Sequence, residues 1–208
     1  MIIKPSSYCV VLAGKWNPAI LTPAWMVANI FDDNPEVKIE FSLNFDFPSR
    51  YIVKSITVSP SVDRIILTSN DNSDESLNLI EAVAIKFCTI LSHTPIVATG
   101  INFGYIERQN KDNLLLLMNF SDNDNITDLG WGISNQTIKR TFTKDGYFVN
   151  MTITLDNASD FVFDFNYHYI TLDAAMVSSS LFGKVIDYKN QAVDLLNKLF
   201  NLEIEQNV

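Results

Sequence analysis

The strongest constraint on the fold is an alternating stretch near the C-terminal end of the chain. It reads Phe161-Val162-Phe163-Asp164-Phe165-Asn166-Tyr167-His168-Tyr169. Because successive side chains of a β-strand point to opposite faces of a sheet, the five aromatic side chains share one face. The polar residues Asp164, Asn166 and His168 share the other. We therefore predict a strand in a sheet that is covered on its aromatic face and open on its polar face.

Two further segments carry apolar residues at helical spacing and predict amphipathic helices that would cover such a sheet. The first spans residues 73–92 and has Asp74 and Glu75 in its first turn, where acidic side chains favour the helix dipole. Its apolar residues are Leu77, Ile80, Val83, Ala84, Phe87 and Leu91. In the C-terminal helix they are Tyr188, Ala192, Leu195, Leu196, Leu199 and Leu202.

The remaining elements are shorter. Thr22 and Pro23 predict the cap and first residue of a short helix that ends at Phe31, and a leucine-rich helix is expected at 112–120. Gly100 and Gly104 are interpreted as a bulge or bend within a strand. Strands are predicted at 8–13, 37–45, 51–59, 62–68, 95–106, 133–143 and 147–155.

The order strand, helix, three strands, helix occurs twice, in residues 1–94 and 95–208. Short sequence likenesses accompany it, such as Tyr51-Ile52-Val53 and Tyr147-Phe148-Val149. We predict an α+β fold made by tandem duplication of a β-α-β-β-β-α unit. The two units would form one curved antiparallel sheet, with two long helices on one face, within one globular domain. This order of elements resembles the TATA-box-binding-protein-like and helix-grip folds across the whole chain, in element order only.

The charge of the chain argues against nucleic acid as a partner, although the TATA-box-binding-protein-like fold is best known for binding DNA. Aspartate and glutamate number 24 against 15 lysines and arginines, which gives a net charge of −9. Such a surface does not attract phosphates over long range. No apolar run approaches the roughly 18 residues that span a bilayer, so no membrane association is expected.

Cys9 and Cys88 are the two cysteines. Both lie in apolar surroundings and are interpreted as buried thiols of a reducing, cytoplasmic compartment, with a Cys9–Cys88 disulfide as the alternative.

The chain contains no recognised catalytic motif, and neither a metal nor an organic cofactor is predicted. No two cysteines or histidines show ligand spacing, and Asp122, Asp124 and Asp128 are interpreted as an acidic loop without the glycine and glutamate of an EF-hand. Ser178 to Ser180 are interpreted as a polar loop. His93 is expected to interact with carbonyl groups at a helix end.

Three hypotheses about function follow. The first is a non-enzymatic protein-interaction module that acts in a complex or as a homodimer, with exposed Trp16, Trp25 or Trp131 as anchors. The second is a binder of a small hydrophobic ligand between the sheet and the C-terminal helix, lined by Phe161, Phe163, Phe165, Tyr167, Tyr169, Leu195 and Leu199. The third is a cryptic enzyme around Asp164, Asn166 and His168. Asp164 and His168 lie about 13 Å apart along a strand, so neighbouring strands would have to complete that site.

Overall fold

A computed structural model describes residues 1–31, 33–41, 49–109, 111–156, 160–170 and 173–205, which form ten strands and six helices. The strands are β1 Ile2–Ile3, β2 Cys9–Gly14, β3 Val37–Glu40, β4 Arg50–Val53, β5 Ile56–Pro60, β6 Arg64–Ser69, β7 Ile96–Glu107, β8 Gln136–Lys144, β9 Tyr147–Leu155 and β10 Phe161–Ile170. The helices are α1 Pro23–Asn29, α2 Asp74–Ile90, α3 Asp112–Leu117, α4 Asn123–Asp128, α5 Ala174–Leu181 and α6 Lys184–Phe200.

All strands belong to one antiparallel sheet with the order β3-β4-β5-β6-β2-β7-β10-β9-β8, and β1 also pairs with β7. Strand β7 is central: β2 pairs along one edge and β10 along the other. The α+β class with a large antiparallel sheet is therefore confirmed.

The aromatic face of β10 forms the middle of the core. Phe161, Phe163, Phe165 and Tyr167 are buried, whereas the residues between them are only partly buried. Helix α6 covers this face: the Tyr188 ring stacks on Tyr167 at 4.4 Å between centroids, and Phe200 packs on Phe163 at 5.6 Å. Helix α2 packs beside it on β2, β5 and β6. No helix covers the opposite face of the sheet among the described residues, and we refer to it as the open face.

Both long helices predicted from the apolar spacing are present. In α6 the predicted residues Tyr188, Ala192 and Leu196 are buried, whereas Leu199 is exposed and Leu202 lies beyond the end of the helix. Helix α2 begins after Ser73, whose hydroxyl accepts a hydrogen bond from the amide of Ser76, and its predicted apolar stripe is buried up to Phe87. Ser178 to Ser180 lie in α5, so their interpretation as a loop is wrong. Each of their hydroxyls donates to a carbonyl of the preceding turn, which satisfies these polar groups within the helix.

Two other predictions are corrected. The segment 51–59 is two strands, because a two-residue turn at Lys54 and Ser55 separates β4 from β5. Lys54 has φ +52°, a conformation that the absence of glycine or asparagine conceals in the sequence. Asp124 and Asp128 belong to α4 rather than to an acidic loop, and Asp122 directly precedes the helix without a side-chain capping hydrogen bond. Strand β3 ends at Glu40, and residues 42–45 of its predicted extension lie outside the described residues.

Glu81 of α2 joins the two long helices. Its carboxylate accepts hydrogen bonds from the amides of Gly183 at 2.8 Å and Val185 at 3.0 Å, both at the start of α6. The first amides of a helix have no partner within it, and a carboxylate there also favours the helix dipole. A second link is the ion pair between Lys189 of α6 and Asp74 of α2.

We expect Glu81→Ala to lower the free energy of unfolding by about 1–2 kcal/mol, because it removes the cap of α6. Urea denaturation followed by far-ultraviolet circular dichroism measures this change. Glu81→Gln keeps one acceptor oxygen but no charge, so its free energy of unfolding should fall less than that of the alanine variant. Equal stability of the alanine variant and the parent protein would contradict the capping role.

Candidate functional site

The aromatic residues predicted to line a ligand pocket pack against α6. Tyr169 is half-buried, and its hydroxyl is hydrogen-bonded to that of Tyr188. Leu195 is half-buried, whereas Leu199 is 49% exposed on the solvent side of α6. A groove of about 490 Å³ runs beside Leu195, between α6 and the β8–β9 hairpin. Its other lining residues include Phe142, Tyr147, Val149 and Gln191.

The polar residues of β10 lie on the open face. Asp164 and Asn166 line a depression of about 540 Å³ at the centre of the sheet. Asp164 is ion-paired with Lys4, whose ammonium lies 2.8 and 2.9 Å from its two carboxylate oxygens. His168 does not line the depression and lies beside Gly100 of β7 and Phe148 of β9.

A row of side-chain hydrogen bonds crosses five adjacent strands, and all of its members except Thr141 line this depression. Asn150 donates from Nδ2 to Asn166 Oδ1 at 3.2 Å, and Asn166 donates from Nδ2 to Asn102 Oδ1 at 2.7 Å. The row continues to Thr141 of β8, which donates to Asn150 at 2.8 Å, and to Cys9 of β2, whose Sγ lies 3.5 Å from Asn102 Nδ2. Sequence reasoning identified Asn166 but missed Asn102 and Asn150, because only the strand register brings them together.

Gly100 and Gly104 make room for this arrangement. The pairing of β7 with β10 runs without a shift through both positions, so the interpretation as a bulge is wrong. A Cβ at position 104 would lie 2.7 Å from the Ser7 Cβ and 3.0 Å from Asp164 Oδ1. At position 100 it would lie 2.9 Å from Asn166 Nδ2. Glycine within a strand thus permits a close approach of neighbouring groups.

The cysteines are free thiols, which contradicts the disulfide alternative. Cys9 of β2 is half-buried with its Sγ beside Asn102, whereas Cys88 is buried in α2. Burial raises the pKa of Cys9 to about 11 and that of Cys88 to about 12, so both are neutral at neutral pH and weakly nucleophilic. His93 is exposed just after α2. Among the described residues, no three histidine, cysteine, aspartate or glutamate side chains lie together as a metal site, and no helix is long and apolar enough to cross a membrane.

Residues 112–133, between β7 and β8, expose an unusual number of large apolar side chains, and we name them the apolar segment. Leu116, Leu129 and Trp131 are 72%, 76% and 71% exposed. Further exposed residues in the segment are Leu115, Phe120 and Ile133. Of the three tryptophans predicted as anchors, Trp131 is the exposed one. Trp16 is buried, with its indole donating to the carbonyl of Leu12, and Trp25 is half-buried against Phe87.

Comparison of the chain with protein-family models and with curated proteins gives no match.

Proposed function

We propose that the protein is a non-enzymatic protein-interaction module and that the apolar segment is its contact surface. The exposure of Leu116, Leu129 and Trp131 carries this proposal. Leaving apolar surface in water costs about 25 cal/mol per Å², and large exposed apolar patches are characteristic of interaction sites. Tryptophan is also the residue type most enriched among the anchors of protein interfaces.

The apolar segment is held in a defined conformation, which supports this role. Leu114 and Met118 are buried and anchor α3 in the core. Asn123 donates to the Met118 carbonyl at 3.0 Å and accepts from Gln136 Nε2 at 2.8 Å, which fixes α4 beside β8. A surface that is ordered before binding loses less conformational entropy when a partner binds.

The charge around the apolar segment indicates the kind of partner. Residues 112–138 contain four aspartates and no lysine or arginine. In a homodimer that paired this segment with itself, the aspartates of the two copies would face each other without compensating charge. We therefore propose a different protein as partner, one that presents apolar side chains flanked by lysine and arginine.

The test is selection of peptides from a displayed random library against the purified full chain. We expect the selected sequences to combine leucine or aromatic residues with lysine or arginine. Trp131→Ser should weaken the binding of a selected peptide about 30-fold in fluorescence anisotropy, the effect of losing a central anchor. Phe182→Ser is the matched control, because Phe182 is 78% exposed outside the segment.

Acidic selected sequences, or an equal effect of Phe182→Ser, would contradict the proposal. Analytical ultracentrifugation tests the homodimer. If the parent protein is a dimer and Trp131→Ser is a monomer, the partner is a second copy of the chain and not a basic protein.

The second candidate is the small hydrophobic ligand, and the groove beside Leu195 and Tyr147 supports it. The groove follows the edge of α6, whereas the space under the helix is occupied by stacked rings such as Tyr167 and Tyr188. A ligand in this groove would lie beside α6, whereas the sequence predicts a ligand between the sheet and this helix. The enzyme hypothesis has less support, because the Asp164 carboxylate is occupied by Lys4 and His168 lies outside the depression.

We infer in addition that the chain is a tandem duplication of units 1–94 and 95–208, which together make one domain. In each half, the first strand lies beside the last strand: β2 beside β6, and β7 beside β10. Strands β2 and β7 pair at the centre, and each half ends in a long helix. The halves are not identical: four strands lie between α1 and α2, three lie between α4 and α5, and α5 precedes the long helix of the second half. The likeness in element order to the TATA-box-binding-protein-like and helix-grip folds belongs to this inference, and it transfers no function.

A further inference from the structure

Five residues that are unfavourable in β-strands lie together on the open face of three neighbouring strands. They are Gly100, Asn102 and Gly104 of β7, Asn150 of β9 and Asn166 of β10. Asparagine and glycine are both depleted in strands, because they pack poorly on a pleated surface. No helix covers this face among the described residues, so packing against a helix does not explain them. Local sequence rules are most often broken where function requires it.

The three amides have hydrogen-bonding capacity left over. Each amide group has two N–H donors and one carbonyl oxygen with two lone pairs. Within the row, Asn102, Asn150 and Asn166 each use one donor and one lone pair. With respect to the residues that the structure describes, each therefore offers one further donor and one further acceptor. The strand spacing sets the interval between the amides at about 4.8 Å.

The wall of the depression is positively charged, in contrast to the chain as a whole. Lys4, Lys139 and Asp164 line it, two ammonium groups against one carboxylate, which gives a net charge of +1. Lys4 is neutralised by Asp164. Lys139 is exposed at the rim and forms no ion pair with any described residue. An anionic group bound beside Lys139 would be stabilised by a charge-assisted hydrogen bond.

We propose that this depression binds a small hydroxyl-rich ligand that carries one acidic group, namely a sugar acid or a sugar phosphate. A hydroxyl both donates and accepts, so neighbouring hydroxyls on one ring match the free donor and acceptor of successive amides. The acidic group would lie at Lys139. The volume of about 540 Å³ is within the range of small-molecule sites.

The experiment is nuclear magnetic resonance of the ¹⁵N-labelled full chain, with the side-chain amide signals of Asn102, Asn150 and Asn166 as readout. The probes are glucuronate, glucose 6-phosphate, neutral glucose and inorganic phosphate, each up to about 10 mM, a range that covers weak binding. We expect saturable shifts of these three signals with glucuronate or glucose 6-phosphate. The tighter of the two distinguishes the sugar acid from the sugar phosphate.

Matched variants locate the acidic group. Lys139→Gln should weaken the binding of the charged sugar roughly tenfold, the effect of losing one charge-assisted hydrogen bond. Lys144→Gln, at the end of the same strand and outside the depression, should leave it unchanged. Shifts with inorganic phosphate equal to those with glucose 6-phosphate would overturn the proposal. So would equal binding of neutral glucose, an unaffected Lys139→Gln variant, or the absence of shifts with every probe.

Discussion

At pH 11 the protein is expected to be less stable than at pH 8 by at least about 4 kcal/mol, because three tyrosines buried in its core resist ionisation. Tyr8, Tyr105 and Tyr167 have no exposed surface. Burial raises the pKa of Tyr8 from 10.0 to about 12, and it raises the pKa values of Tyr105 and Tyr167 as well. Cys88 adds to the effect, because burial raises its pKa from 9.0 to about 12.

The direction of this effect follows from proton binding. In the unfolded chain, each tyrosine loses its proton near pH 10, whereas in the folded protein it stays protonated to higher pH. The stabilisation is therefore complete below pH 10 and is lost as the pH rises toward the folded value. Each fully buried tyrosine contributes about 1.4 kcal/mol per pH unit above 10, so three contribute about 4 kcal/mol at pH 11.

Urea denaturation at pH 8, 10 and 11 measures the loss of stability at high pH, and Tyr167→Phe is the control. The Tyr167 hydroxyl is buried without a hydrogen-bond partner among the described residues, and phenylalanine keeps the ring that stacks on Tyr188. Between pH 8 and 11, we expect the free energy of unfolding of this variant to fall by about 1.4 kcal/mol less than that of the parent protein. At pH 8 it should match or exceed the stability of the parent protein, because an unpaired buried hydroxyl costs about 1–3 kcal/mol. A stability that stays constant up to pH 11 would contradict the burial of these groups.

Phe163→Ala is expected to lower the free energy of unfolding by about 3–5 kcal/mol at neutral pH, the usual effect of deleting a buried aromatic ring. Phe163 has no exposed surface and packs on Phe200 at the end of α6. The substitution therefore leaves a cavity between β10 and α6 that the surrounding rings cannot fill. If the aromatic residues instead lined a partly empty ligand pocket, the loss would be much smaller, because fewer contacts would disappear.

Thermal and urea unfolding of Phe163→Ala measure this difference. Val162→Ala is the matched control: it lies next in the same strand, on the open face, and is half-buried. We expect the control to lose less than about 1.5 kcal/mol, as for other small deletions at incompletely buried positions. If the free energy of unfolding falls by similar amounts in the two variants, the core under α6 is not tightly packed, which would favour the hydrophobic-ligand hypothesis.

The elements that the sequence predicts well are long and strictly periodic. Helix α2 and strand β10 bury the residues that their spacing indicates, because burial of one face determines both the pattern and the structure. The turn between β4 and β5 does not follow from the sequence, since Lys54 adopts φ +52° where glycine or asparagine is usual. In α5, three consecutive serines suggest a loop, yet their hydroxyls bond within the helix.

The candidate sites show the limit of sequence reasoning more clearly. Asp164 and Asn166 follow from the alternation of β10, but their partners are distant in the chain: Lys4 is 160 residues from Asp164, and Asn102 is 64 residues from Asn166. Strand order and register bring these residues together, and neither can be read from local patterns. In the apolar segment, the leucine-rich pattern predicts a helix but not which leucines remain exposed, since that depends on packing against the rest of the fold.

Hydrogen–deuterium exchange of the full chain with a selected basic peptide shows whether the apolar segment is a protein-binding surface. On addition of the peptide, we expect slower exchange in residues 112–133, with α2 and the open face unchanged. In Trp131→Ser the same peptide concentration should give little or no protection. Protection of the open face or of the groove beside Leu195, with residues 112–133 unaffected, would show that the peptide binds elsewhere and that the apolar segment is not the contact surface.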